Sequence, residues 1–214
     1  MVLTDRRMAA DAGHDLLDVV AAAVGAGAGA VLLREKDLPW AERHGLAKQL
    51  RTAAAGVALV VAGDLALAHA VGADGIHLAA GDPGPDGSAG GLRVGRSCHT
   101  PEELVAAATQ GTTDYATFSP VFATTSKPGY GPALGIEGLA AGCRAVAAAG
   151  SPLAVYALGG IGPAQVAACL TAGAAGIAVM GMVMRADDPA AVVTSLREEL
   201  ATVEWGAAAG RADG

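Results

Sequence analysis

"VALVVAGDLALAHAVGADGIHL", Val57 to Leu78, sets two short β-rich runs around one alanine–leucine helical pattern. Val57–Ala62 reads as a buried strand, "DLALAHAVGA" as a helix that Asp64 can cap, and Gly75–Leu78 as a second strand. A strand, a helix and a strand in such close succession form a crossover unit, the connection that parallel strands require.

The same rhythm fills the rest of the chain. Further strands are predicted at Val2–Thr4, Ala30–Glu35, Leu92–Ser97, Tyr115–Pro120, Leu153–Leu158 and Gly176–Met180, with Ala/Leu helical segments between them. Eight strands in βα alternation predict an α/β fold, a single-domain (β/α)8 TIM barrel over residues 1–200. Residues 201–214 read as a C-terminal tail. One connection breaks the pattern: "GDPGPDGSAGG", Gly81 to Gly91, carries too much Gly and Pro for a helix and predicts an open loop.

Composition agrees with closely packed α/β layers. Apolar residues make up 52% of the 214, aromatics only 3%, and 31 are glycine, so the core must be built from small and branched aliphatic side chains. A formal charge of −7 argues against nucleic acid as a partner. No apolar run reaches the roughly 18 residues of a membrane span, and the N-terminus lacks the order of a signal peptide. Cys98, Cys143 and Cys169 form neither a zinc spacing nor a disulfide framework. The expectation is a cytoplasmic protein with a small-molecule phosphate substrate. Whether it is a homo-oligomer stays open.

In such a barrel the chemistry sits beyond the C-terminal ends of the strands. "GAGAGA", Gly25 to Ala30, imitates a dinucleotide fingerprint but ends a helix instead of opening one. After the second strand, Arg34 and Lys36 fall on one side of an extended segment and would attract an anion, with Glu35 facing the other way. Gly159–Gly160 and Met180–Gly181 follow the last two strands, where bare backbone either cradles a phosphate or makes a tight turn. "GRSCHTPEE" offers Ser97 as a donor and His99 as a proton carrier, while Thr100 reads as a helix cap. His77 reads as either a packed core histidine or a chemical group. Asp64 and Asp82 follow the third and fourth strands, where carboxylates can hold Mg2+.

The segments "LLREKD", "ADGIHLAAGD", "VGRSCHTPEEL", "DYATFSPVFATTSKPGYG", "ALGGI" and "AGAAGIAVM" together resemble the thiamine phosphate synthase / TenI family, from about Val2 to Leu200. The resemblance implies a barrel that binds a thiazole phosphate in thiamine biosynthesis. It implies anion contacts by Arg34, Lys36, Ser97, Thr124, Ser126 and Lys127, a thiazole-phosphate site at Gly159, Gly160, Met180 and Gly181, and a metal carboxylate at Asp82. The loop Val121–Gly135 is then a lid, with Gly129 and Gly131 as hinges between Pro128 and Pro132.

The chain departs from both branches of that family. Leu32 stands where synthases carry Gln, and Ala62–Gly63 stand for Asn–Asp, removing groups that serve the pyrimidine, the diphosphate and the metal. These losses place a TenI-like thiazole tautomerase, an isomerase needing no cofactor, ahead of the alternative. That alternative is a thiamine phosphate synthase, a transferase joining hydroxymethylpyrimidine diphosphate to thiazole phosphate with Mg2+, held by Asp82 and by Asp64 if its loop shifts. A non-catalytic phosphate binder is the third reading. The TenI branch's histidine is replaced by Pro120, which leaves His99 or His77 to move a proton. The catalytic candidates are His99, Lys36 and Lys127.

Overall fold

A computed structural model describes residues 1–85, 89–124 and 132–209. Its strands are β1 (Val2–Leu3), β2 (Ala30–Leu33), β3 (Ala58–Ala62), β4 (Gly75–Leu78), β5 (Arg93–Cys98), β6 (Tyr115–Phe118), β7 (Ala154–Leu158) and β8 (Gly176–Ala178). All eight lie parallel in one sheet in sequence order, and a bridge between Val2 and Val179 joins its ends. The fold is the (β/α)8 barrel that the βα rhythm predicts.

The helices are α1 (Arg6–Asp11), α2 (Leu16–Gly25), α3 (Trp40–Ala53), α4 (Leu65–Ala70), α5 (Pro101–Gln110), α6 (Gly135–Ala148), α7 (Pro163–Thr171), α8 (Gly181–Met184) and α9 (Pro189–Ala209). Local chemistry sets their starts. Asp5, Asp15, Asp64 and Thr100 are N-caps whose side chains accept first-turn amide hydrogens. Gly111 closes α5 in the left-handed conformation. The last helix passes Leu200 and ends at Ala209, inside the stretch read as a tail. All three cysteines are free thiols, and no helix among the described residues is long and apolar enough to cross a membrane.

The main core lies between sheet and helices, where Leu33, Leu50, Leu59, Leu67, Leu104, Phe118 and Leu139 are fully buried. Inside the barrel, large and small side chains alternate around the ring, as its narrow interior requires. Tyr115 lies over Gly95 and Tyr156 over Gly176, so closely that a Cβ on either glycine would strike the ring. The two tyrosines meet edge to face with centroids 5.7 Å apart and form the floor beneath the barrel mouth.

Between β4 and β5 no helix occurs among the described residues. The outward faces of Ile76, Leu78 and Val94 are covered by Ala89 and by the half-buried Leu65 and Leu92, a small cluster apart from the main core. The Gly/Pro-rich composition of Gly81–Gly91 explains why a loop replaces the helix.

Candidate active site

The strand ends open into one cavity of about 830 Å3, lined by residues from every quarter of the barrel. Arg34, Lys36, Asp5 and His77 stand on one side, Ser97, His99 and Thr117 next, then Pro120 and Thr124, then Gly159, Gly160, Met180 and Gly181. Nine of the candidates taken from sequence therefore meet in one place, whereas Asp64 and Asp82 are not part of its lining. Ser126 and Lys127, with the rest of residues 125–131, lie outside the described residues.

Strand alternation aims the basic pair as expected. The Arg34 amide donates to Thr4 Oγ1 at 3.0 Å, and its guanidinium reaches Asp5 Oδ2 at 3.5 Å and Met180 Sδ at 2.8 Å. Arg34 thus bridges the end of β1 to the end of β8 across the seam of the barrel. Glu35 turns away, is buried, and accepts from both the backbone and the side chain of Arg6 at 3.0 and 2.9 Å. Arg6 also grips Asp37 at 2.7 Å, which holds that carboxyl down at about 2. The segment bearing Arg34 and Lys36 is pinned on both sides.

His77 sits inside the barrel, as β4 alternation demands. Its Nδ1 lies 3.1 Å from the Tyr115 hydroxyl, its Nε2 3.0 Å from Ser97 Oγ, and Thr117 Oγ1 is 3.5 Å away. Burial pushes the imidazole down to about 4, helped by the charges of Lys36 and Arg96, so the ring is neutral at physiological pH. It is a hydrogen-bonded core histidine that fixes Ser97 from below.

His99 reaches the cavity from the end of β5. Its Nδ1 lies 2.8 Å from the Ser119 carbonyl, which can only accept, so Nδ1 carries a proton. Thr100 caps α5 as the sequence indicates, but the carboxylate of Glu103 reaches one residue further back, accepting from the His99 amide at 2.6 Å. The capping arrangement thereby sets the backbone of His99.

On the far side, Gly159 and Gly160 both have positive φ, 100° and 64°. A Cβ on Gly160 would come within 2.5 Å of the Ala123 carbonyl and 2.8 Å of Phe122 Cβ. The turn and the cradle are therefore one feature: the glycines let the segment after β6 pack onto the end of β7 and leave bare backbone at the cavity wall. Met180 precedes α8, whose first residue Gly181 is buried.

A divalent cation needs several oxygen ligands on one small sphere. Asp64 spends Oδ1 on capping α4, accepting from the Leu67 amide at 2.8 Å, and its Oδ2 faces Arg43 at 3.8 Å. Asp82 Oδ2 accepts from the Ala79 amide at 2.8 Å and faces Lys36 Nζ at 3.8 Å. Each carboxylate is committed to a different cation, and among the described residues no three His, Cys, Asp or Glu side chains gather into a metal-binding group. Among the described residues the carboxylates do not fit the Mg2+ that the resemblance implies.

Several contributors were not singled out from sequence. Arg96, buried in mid-strand, donates from Nη1 to the carbonyls of Ala79, Ala80 and Asp82 at 3.1, 3.2 and 2.8 Å and so shapes the loop carrying Asp82. Arg43, also buried, donates to the Ala62 carbonyl at the end of β3. Ser119 and Asp5 join the site through His99 and Arg34. The available signal was an arginine within an otherwise apolar strand or helix face, which must find acceptors if it is buried.

A family model described as thiamine monophosphate synthase matches residues 1–183. The chain is 39% identical over 201 residues to the thiamine-phosphate synthase of Roseiflexus castenholzii, covering 91% of this chain and 85% of that one. It is 41% identical over 200 residues to the thiamine-phosphate synthase of Limosilactobacillus fermentum, covering 88% and 91%. Among solved structures it resembles the thiamine phosphate pyrophosphorylase of Pyrococcus furiosus, with a TM-score of 0.80, 30% identity, and coverage of 94% and 95%.

Proposed function

The chain belongs to the thiamine monophosphate synthase family, and from that premise we propose that it couples hydroxymethylpyrimidine diphosphate to thiazole phosphate, forming thiamine phosphate and releasing diphosphate. The observation that carries the reading is one cavity that gathers a basic pair and bare glycine backbone at its rim. Arg34 and Lys36 face it from β2, and the bare backbone at Gly159–Gly160 with the Met180–Gly181 turn faces it from β7 and β8. A volume of about 830 Å3 accommodates two linked rings with their phosphates.

The coupling asks for charge stabilisation more than for a base. A carbon–nitrogen bond forms while a carbon–oxygen bond to diphosphate breaks, and the attacking ring nitrogen has no proton to lose. Negative charge grows on the departing diphosphate, where preorganised cations act most strongly. Arg34 is held ready by Asp5 and the Thr4 carbonyl, so little reorganisation accompanies that growth. Ser97, fixed by His77, supplies a neutral donor beside them. Thr124 would add a donor from the segment after β6.

The names of the relatives favour this reaction over the tautomerase that the losses at Leu32, Ala62 and Gly63 put first. Position 120 weighs the same way, because a proton shift needs a base beside the ring and Pro120 supplies none. His99, on the cavity wall at the end of β5, is the group a tautomerase would have to use. The deciding experiment offers purified protein both coupling substrates and, separately, the non-aromatic thiazole carboxylate phosphate. Thiamine phosphate and diphosphate in equal amounts support coupling. Aromatisation without coupling, abolished by His99→Ala, transfers the assignment to the tautomerase.

A further inference from the structure

Gly63 follows β3 with φ of 65°, and its amide donates to the His77 carbonyl at 2.9 Å. The space where its side chain would stand is filled. A Cβ built on Gly63 would lie 2.7 Å from Lys36 Nζ and 2.9 Å from Lys36 Cε, with Asp82 Oδ2 at 3.8 Å. The absence of a carboxylate at this position and the placement of the ammonium are thus one arrangement. Lys36 rests in the notch that glycine leaves, with its charge directed at the remaining carboxylate.

We propose that the Lys36 ammonium, seated over Gly63 and facing Asp82, takes the place of a divalent cation, so that this chain binds diphosphate without a metal ion. The diphosphate as ligand rests on the coupling reaction proposed above. At 3.8 Å the Lys36–Asp82 pair is held by charge and is too long for a hydrogen bond, so Lys36 spends none of its N–H donors on Asp82. Those donors suit phosphate oxygens, for which lysine acts as a compact point charge. The Lys36 side chain is 50% exposed, so a ligand in the mouth can reach it.

The surroundings hold this arrangement and disfavour an added ion. Asp82 is fixed by the Ala79 amide, and its loop is fixed by three bonds from Arg96. A divalent cation beside Asp82 would sit against the Lys36 ammonium, with Asp82 its one carboxylate ligand among the described residues. Asp64 cannot move in without giving up its cap on α4 and its approach to Arg43.

The test is calorimetry on the full chain with inorganic diphosphate as probe, in EDTA and again in Mg2+, together with Mn2+ titration of the protein alone followed by electron paramagnetic resonance. Diphosphate affinities in the two buffers are expected to agree within about threefold, and Lys36→Met is expected to weaken metal-free binding at least about tenfold. Mn2+ alone is expected to stay unbound. Tightening by Mg2+ of about tenfold or more would overturn the proposal, as would protein-bound Mn2+ or unchanged affinity in Lys36→Met. Absence of binding in both buffers would overturn it as well. Metal-free binding without thiamine phosphate synthesis would leave this inference standing and refute coupling; coupling with diphosphate bound only in Mg2+ would do the reverse.

Discussion

Acidification should destabilise the barrel through His77, by an amount the structure sets. The imidazole is 6% exposed, and burial lowers it from 6.5 to about 4. The unfolded chain therefore takes up this proton at higher pH than the folded chain does. The contribution to stability is complete above about pH 6.5, declines as pH falls towards 4, and levels off below that. Integrated to pH 5, the loss is about 2 kcal/mol, and it approaches roughly 3 kcal/mol below pH 4. Other groups titrate in the same interval, so the measurement has to be a difference. Urea unfolding of wild type and His77→Gln at pH 8 and at pH 5 isolates the term, because the glutamine does not titrate. The variant should be the less stable protein at pH 8, having lost ring packing and its fit to Tyr115 and Ser97. The gap should close by about 2 kcal/mol at pH 5. A gap that is the same at both pH values would refute the claim that the ring is buried in its neutral form.

Other perturbations have equally definite outcomes. Gly160→Ala places a methyl 2.5 Å from the Ala123 carbonyl at a φ of 64°, and should cost about 2 kcal/mol in urea unfolding and weaken thiazole phosphate about tenfold by calorimetry. Arg6→Ala leaves the Glu35 side chain, 4% exposed, without its guanidinium; unfolding free energy should fall by about 3 kcal/mol, with Arg6→Lys recovering part. Arg34→Met should lower coupling kcat/KM about a hundredfold with the circular dichroism spectrum unchanged, and Arg34→Lys should retain more activity than Arg34→Met.

The strands were legible because their signal is local. Ala58–Ala62 and Gly75–Leu78 are short β-rich runs beside Gly and Asp, and each strand lies within a residue or two of the limits its sequence predicts. Helix α1 was not read, because "RRMAAD" is short and polar and becomes a helix through its Asp5 cap and the grip of Arg6 on Glu35. The site was legible wherever strand alternation fixes direction, as for Arg34 and Lys36 against Glu35. It was not legible where partners come from distant strands. Nothing near "GRSCH" shows that Arg96 will bind three carbonyls of the preceding loop, or that Ser97 will meet a histidine twenty residues earlier. The commitment of Asp64 to Arg43 was hidden for the same reason, since the arginine arrives from the helix before β3.

The β4–β5 connection, which has no helix among the described residues, changes how the barrel wall is held there. Every other neighbouring pair of strands from β1 to β8 is braced from outside by a helix, whereas this pair leans on the small cluster of Ile76, Leu78, Ala89 and Val94. His77, Asp82 and Ser97 stand on this pair or on the loop that leaves it, and polar ties from inside hold them: Arg96 to three loop carbonyls, Asp82 to the Ala79 amide and His77 to Ser97. What a covering helix does for the other strand pairs is done here by the site's own polar groups, so substituting Arg96 or His77 would loosen the wall and the ligand-facing groups together.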